Sequence, residues 1–109
     1  MKLNLDEMLA HAQIERAQLV AWIEEGWVAP ARDEDSFVFD EADAARVQFI
    51  CALVRDMLIG EEAIPVVLSL VDQINALRGT LKQVLLAVEE LPEPDRARLI
   101  AILKEIDDN

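Results

Sequence analysis

Hydrophobic residues recur at helical spacing in five stretches of the chain, and the second stretch is the most informative. Leu19, Trp22 and Ile23 stand at positions i, i+3 and i+4, which places them on one face of a helix. Gly26 follows, and glycine readily adopts the left-handed conformation that ends a helix. After a polar linker, Phe37-Val38-Phe39 is a run of β-favouring residues. The pattern predicts a short helix that ends at Gly26 and a small hairpin after it.

Polar residues mark the starts of the helices on either side. Asn4 and Glu7 have the spacing of a capping box, which predicts a first helix over about residues 5–12. Asp40 directly follows the β-favouring run and can cap a third helix. Ile59-Gly60-Glu61 is the predicted end of that third helix. Together these elements predict a helix-turn-helix with a wing.

A fourth, longer helix is predicted either to begin near Ala63 or Ile64 or to carry a kink, because Pro65 is tolerated only in a first turn. Its apolar residues recur at steps of three and four, with a mean close to the ~3.5 residues of a coiled-coil seam. A small domain cannot cover so long an apolar edge, so the seam predicts a homodimer. The predicted dimerisation residues are Val67, Val71, Ile74, Leu77, Leu81, Val84, Val88 and Leu91.

The segment after this helix predicts a turn and one more helix. Leu91-Pro92-Glu93-Pro94 is the turn, and Leu99, Leu103 and Ile106 then recur on one face of an amphipathic helix. The predicted fold class is therefore mostly α, with a two-stranded wing, a long dimerisation helix and a short extra helix. The predicted domains are a winged helix-turn-helix over residues 1–60, the dimerisation helix over residues 61–91, and a turn and helix over residues 92–109.

The charge of the chain changes what this scaffold can bind. Ten basic and 22 acidic residues give a net charge of −12. Between positions 1 and 58 there are five basic and twelve acidic residues, so the excess is not confined to a tail. A helix-turn-helix ordinarily uses arginine and lysine to hold DNA phosphates. An acidic surface repels a polyanion and attracts a basic protein.

Few residues suit catalysis or metal binding. One cysteine, Cys51, and one histidine, His11, provide no Cys/His cluster for zinc, and Cys51 is expected to be a buried, inert thiol. The best carboxylate pair for an enzyme, Glu61 and Glu62, is adjacent in sequence and lacks a partner base. We therefore expect no catalytic, cofactor or metal site and no enzyme activity.

Two further expectations concern the tryptophans and the location of the protein. Trp22 and Trp27 could bind a partner, but we expect both to be core residues. The N-terminus carries acidic residues where a signal peptide would be apolar, and no stretch reaches the roughly 18 apolar residues of a membrane span. A cytoplasmic protein without membrane contact is expected.

The segment GWVAPAR, Gly26 to Arg32, resembles the N-terminal domain of MerR-type regulators, which have a helix-turn-helix, a wing and a dimerising helix. Those regulators also have an Arg-Tyr-Tyr type of triplet on the recognition helix and an arginine in the wing. This chain has Val20, Ala21 and Trp22 in place of the triplet and Val38 in place of the wing arginine. Of that basic set, only Arg32 remains.

The chain also resembles a narrower family, the CbpM-type chaperone modulators, which are small acidic proteins with a MerR-like fold. The matching segments are LVAWIEEGWVAP, FVFDEADAARV and AIPVVLSLVDQINAL. The similarity covers roughly Leu3 to Leu91 and leaves residues 92–109 outside the family pattern.

This second resemblance implies binding to the J-domain of a DnaJ-like co-chaperone and inhibition of its work with DnaK. J-domains present a basic helix, which an acidic surface would attract. A DNA-binding regulator of the MerR type is the alternative, and DNA is the less expected partner. Solvated or helix-capping charges are the plain interpretation of the acidic residues around the second helix and wing. The candidates for J-domain contact are Glu24, Glu25, Asp33, Glu34, Asp35, Asp40, Glu41 and Asp43.

Overall fold

The computed structural model describes residues 1–108, and the mostly helical architecture with a two-stranded wing is confirmed. The chain divides into two compact units, Met1–Leu68 and Ser69–Asn109. The helices are α1 Leu5–Ala12, α2 Arg16–Glu24, α3 Glu41–Cys51, α4 Ile64–Val88 and α5 Asp95–Asp108. The two strands are β1 Ala31–Asp33 and β2 Ser36–Val38, a π-helical turn spans Ala52–Asp56, and a short 3₁₀ turn spans Glu61–Ala63.

The predicted capping box at the start of α1 is present. The backbone N–H of Glu7 donates to the side-chain oxygen of Asn4 at 2.8 Å, and the backbone N–H of Asn4 donates to the Glu7 carboxylate at 3.0 Å. Two N–H groups that an unpaired helix start would leave without partners are thereby satisfied.

Gly26 ends α2 as predicted, with φ of 80°. The N–H of Trp27 donates to the carbonyl of Trp22 at 2.9 Å, and the N–H of Gly26 donates to the carbonyl of Ile23 at 3.0 Å. These two bonds form a Schellman motif. In such motifs the two residues joined by the longer-range bond, here Trp22 and Trp27, commonly also make an apolar contact. Here that contact is between the two indole rings, whose centroids are 6.5 Å apart.

Substitution of Gly26 by alanine is expected to destabilise the fold by about 1–2 kcal/mol, because an L-residue is strained in the left-handed region. The matched control is Gly79→Ala, within α4, which should stabilise by about 1 kcal/mol through helix propensity. An added Cβ would meet nothing within 4 Å at either position, so backbone conformation alone separates the two variants. Urea denaturation measures the free energy of unfolding of each variant. A change in the same direction for both would contradict this explanation.

The first strand of the wing overlaps the segment 32–36 that the sequence pattern indicates as a polar linker. Arg32 and Asp33 belong to β1, which pairs antiparallel with β2 in the register Ala31 to Val38. Arg32 and Asp33 are polar, so a run of β-favouring residues does not mark this strand. Phe39 then continues beyond β2 and exchanges two hydrogen bonds of 2.8 Å with Leu3.

The core of the first unit lies where the three helices, the wing and the start of α4 meet. Phe39 is fully buried within it, and the residues at the start of α4 reach the same core. Both tryptophans belong to this core, as predicted, with exposed fractions of 2% for Trp22 and 8% for Trp27. Other fully buried side chains are Met8, Leu19, Val47, Ile50 and Ile64.

The predicted end of the third helix at Ile59-Gly60-Glu61 is wrong. The helical backbone ends with the π-helical turn at Asp56, and Leu58 takes the left-handed conformation at φ of 54°. The N–H of Ile59 donates to the carbonyl of Leu53 at 2.8 Å, and Ile59 packs against the core. Packing of Ile59 therefore decides where the helix ends, whereas Gly60 has an ordinary extended backbone.

The second unit contains most of α4 and all of α5. Pro65 lies in the first turn of α4 as predicted, and the helix ends at Val88, so Leu91 of the predicted seam lies in the turn beyond it. The last helix, α5, begins directly after Pro94. Several large apolar side chains of this unit are exposed, among them Leu70, Ile74, Leu77, Leu86, Ile102 and Ile106.

Candidate functional site

Two arginines of the first unit support its backbone. The side-chain Nε of Arg46 donates a hydrogen bond to the carbonyl of Trp27. Arg55 donates from Nη2 to the carbonyl of Ala12 at 2.6 Å and to the sulfur of Cys51 at 3.2 Å. Ala12 is the last residue of α1, where a helix leaves carbonyls without intrahelical partners. Both guanidinium groups therefore serve the fold.

The other two arginines of this unit also have partners within it. Arg16 forms an ion pair with Asp6 at 2.6 Å. The guanidinium carbon of Arg32 lies 4.7 Å from the centroid of the Phe37 ring, on the opposite strand of the wing. Arg32 is the one residue kept from the basic set of MerR-type regulators, and here it covers an aromatic ring. Each arginine of residues 1–68 thus has a contact within the first unit.

Glu24 and Glu25 stand at the C-terminal end of α2, and both are exposed. Within residues 1–108 neither carboxylate has a hydrogen-bond or ion-pair partner. The C-terminus of a helix carries partial negative charge, so carboxylates there slightly oppose folding. Helix stability does not explain these two residues, which leaves them available to a partner.

Asp33, Glu34 and Asp35 form the exposed tip of the wing. Glu34 has φ of 59°, a region that glycine or asparagine occupies more easily. Three adjacent like charges also repel one another. The tip therefore concentrates negative charge at a small cost in stability.

The three acidic residues at the start of α3 have mainly structural contacts. The backbone N–H of Asp43 donates to the Asp40 carboxylate at 2.8 Å, and the N–H of Asp40 donates to Asp43 at 3.0 Å. The first of these bonds holds the pKa of Asp40 below its ordinary value, whereas burial raises the pKa of Asp43. Glu41 lies 3.7 Å from the N-terminal amine. Asp40 and Asp43 thus form a capping box, which accounts for both carboxylates as helix caps.

A cleft within the first unit was not predicted from the sequence. It has a volume of about 360 Å³, and its wall contains both tryptophans. Three carboxylates, those of Glu25, Glu61 and Glu62, also line it. Only Glu25 was a candidate contact residue, because Glu61 and Glu62 lie far along the chain and no local pattern brings them to α2. The remaining lining residues are Gln18, Ala21 and Pro65.

The predicted dimerisation residues differ in exposure. Val67 packs against the core of the first unit. Val71, Leu81 and Val88 are half-buried. The exposed members are Ile74, Leu77, Val84 and Leu91.

Two kinds of site are absent from the part of the chain that the structure describes. No group of three or more histidine, cysteine, aspartate or glutamate side chains is arranged to hold a metal ion among residues 1–108. Across the same residues, no helix combines the length and apolar character needed to cross a membrane.

Comparison with known proteins agrees with this geometry. The family model described as MerR HTH family regulatory protein matches residues 3–84, which is most of the chain and includes α1 to α3, the wing and most of α4. No curated protein and no solved structure matches. The chain therefore belongs to the MerR helix-turn-helix family of regulatory proteins.

Proposed function

We propose that this protein is a non-enzymatic chaperone modulator. Its acidic first unit binds the J-domain of a DnaJ-like co-chaperone and inhibits the co-operation of that co-chaperone with DnaK. The proposal rests on a contrast between the basic and the acidic side chains of the first unit. Its arginines are engaged by carbonyls, an aspartate and an aromatic ring, while the carboxylates at the end of α2 and at the wing tip face solvent.

A basic helix of a J-domain is the complementary surface for such a module. Opposite charges accelerate encounter and select against acidic partners, and their effect weakens as salt is added. A modulator covering that helix would compete directly with DnaK. The resemblance to CbpM-type modulators supports the same partner.

Titration of the full-length protein with a purified J-domain at low and high salt tests the proposal. Micromolar binding at low salt is expected, together with reduced stimulation of DnaK ATP hydrolysis by the co-chaperone. The wing-tip variant, Asp33→Asn with Glu34→Gln and Asp35→Asn, should bind about tenfold more weakly if each exposed pair contributes about 0.5 kcal/mol.

The matched control removes three exposed carboxylates from the second unit, through Glu89→Gln, Glu90→Gln and Glu105→Gln. It has the same net charge as the wing-tip variant and should bind within about twofold of the unmodified protein, because local charge decides the contact. No binding of the unmodified protein at tens of micromolar in low salt would remove the proposal.

DNA binding is the second candidate, and the family match favours it because helix-turn-helix regulators ordinarily bind DNA through their second helix. The last turn of α2 carries no basic residue. A gel shift with the DNA flanking its own gene separates the two candidates. Specific binding that weakens steeply with salt would support a transcriptional regulator and overturn the chaperone proposal.

We also propose that a second copy covers the exposed side of α4. Among residues 1–108, Leu77 and its neighbours Ile74 and Val84 along the seam are exposed, and apolar faces of this length associate in water. Light scattering at tens of micromolar should give twice the 12.2 kDa chain mass. A monomer mass would contradict it.

A further inference from the structure

The cleft of the first unit combines aromatic and acidic walls. Trp22 and Trp27 contribute to its wall, together with three acidic residues, Glu25, Glu61 and Glu62. All of its residues belong to the compact unit Met1–Leu68, so one folded unit holds the whole site. We propose that this cleft receives one lysine or arginine side chain of the basic partner. The inference rests on the proposed function and specifies where the partner is held.

The chemistry of the walls selects a cation with an apolar stem. Carboxylates bind ammonium and guanidinium groups through charge-assisted hydrogen bonds, while the tryptophans, at 2% and 8% exposed, supply an apolar edge of the wall. Lysine and arginine also carry a chain of methylene groups that packs against apolar walls. An anionic ligand is repelled by three carboxylates in so small a space.

The size and geometry exclude two other kinds of ligand. The volume of about 360 Å³ lies at the lower end of the roughly 300–1,000 Å³ range of ligand sites, which suits a single long side chain. A metal ion needs several ligands converging on one point, and the carboxylates of this cleft do not form such a group. An extended organic cation fits dispersed carboxylates better.

The lack of a side chain at Gly60 leaves space for the carboxylate of Glu62. Its backbone has φ of −65° and ψ of 146°, which any residue adopts, so conformation does not require glycine here. A Cβ added at Gly60 would lie 2.9 Å from Oε1 of Glu62. The missing side chain therefore leaves room for the Glu62 carboxylate. Because that carboxylate is the end of a flexible side chain, Gly60→Ala should move it and leave the fold intact.

The experiment exploits the two tryptophans, which are the only ones in the chain and both line the cleft. Their fluorescence emission therefore reports directly on occupation of the site. Two probes are titrated, the J-domain and a short lysine-rich peptide, with the same peptide after lysine acetylation as the uncharged control. The cleft variant is Glu61→Gln with Glu62→Gln, and the charge-matched control is Glu89→Gln with Glu90→Gln.

The expected result is a change in emission with both cationic probes and none with the acetylated peptide. Affinity should fall by about tenfold or more in the cleft variant and by less than about twofold in the control. Gly60→Ala should weaken binding in the same direction by a smaller factor. Circular dichroism checks that each variant remains folded.

The possible results distinguish the cleft proposal from the chaperone proposal. If the J-domain binds the cleft variant as tightly as the unmodified protein and the emission stays constant, the cleft proposal is overturned and the chaperone proposal stands. Cleft-dependent binding of the peptide without any binding of the J-domain supports a cation site and overturns the chaperone proposal. Absence of binding to both probes overturns both.

Discussion

Replacement of Leu77 by aspartate is expected to convert the proposed dimer to a monomer while the first unit remains folded. In the single chain this side chain is 69% exposed, so the carboxylate would be solvated in a monomer. In a dimer it would be buried without a partner, at a cost of about 3 kcal/mol or more. That corresponds to about a hundredfold loss of dimer affinity. Light scattering and sedimentation over a concentration series measure it.

The choice of residue and control makes this test specific. Leu81 belongs to the same predicted seam but is half-buried in the single chain, so a charge there would also disturb folding. Gln83→Glu adds the same negative charge to an exposed position of α4 that lies well away from the seam at helical spacing. The control should remain dimeric. If Leu77→Asp dimerises as strongly as the unmodified chain, another surface makes the contact.

Phe39→Ala is expected to have the largest effect on stability, a loss of about 3–5 kcal/mol. The Phe39 side chain is 0% exposed, and its backbone is fixed by two hydrogen bonds to Leu3. Loss of the ring leaves a cavity where α1, the wing and α3 meet. A domain of ordinary stability, about 5–15 kcal/mol, would lose a large share of it. Urea denaturation followed by circular dichroism gives the free energy of unfolding.

Phe49→Ala is the matched control, since the same ring on α3 is 37% exposed. Less apolar area is removed from the core there, so we expect well under half the loss of Phe39→Ala. Equal losses in the two variants would mean that burial in the single chain does not govern their contribution. In that case Phe49 would be covered in the assembled protein.

Local rules predicted the elements whose causes are local. Asn4 and Glu7 gave the start of α1, because a capping box involves residues three apart. Gly26 gave the end of α2 for the same kind of reason, through one backbone conformation. Asp40 and Asp43 had two interpretations in the sequence, and the hydrogen bonds between them account for both residues as helix caps.

Two differences from the expected fold have physical causes that a hydrophobic pattern does not report. Arg32 and Asp33 are polar and lack the alternation of a strand, yet they pair with β2 and so form β1. The third helix ends before Gly60 because Ile59 returns to the core and Leu58 takes the left-handed conformation. The hydrophobic pattern of a short segment does not predict which of its apolar side chains will be buried.

The sequence by itself determined the helical class, the capping residues and the excess of acidic side chains, since each depends on residue type or on neighbours within a few positions. Tertiary structure alone decided how the basic residues are used. Arg46 meets a carbonyl 19 residues away, and Arg55 meets one 43 residues away. Folding also brought Glu61 and Glu62 to the tryptophans of α2 and its exit. Electrostatics depends on distance in space, and only the packed chain sets those distances.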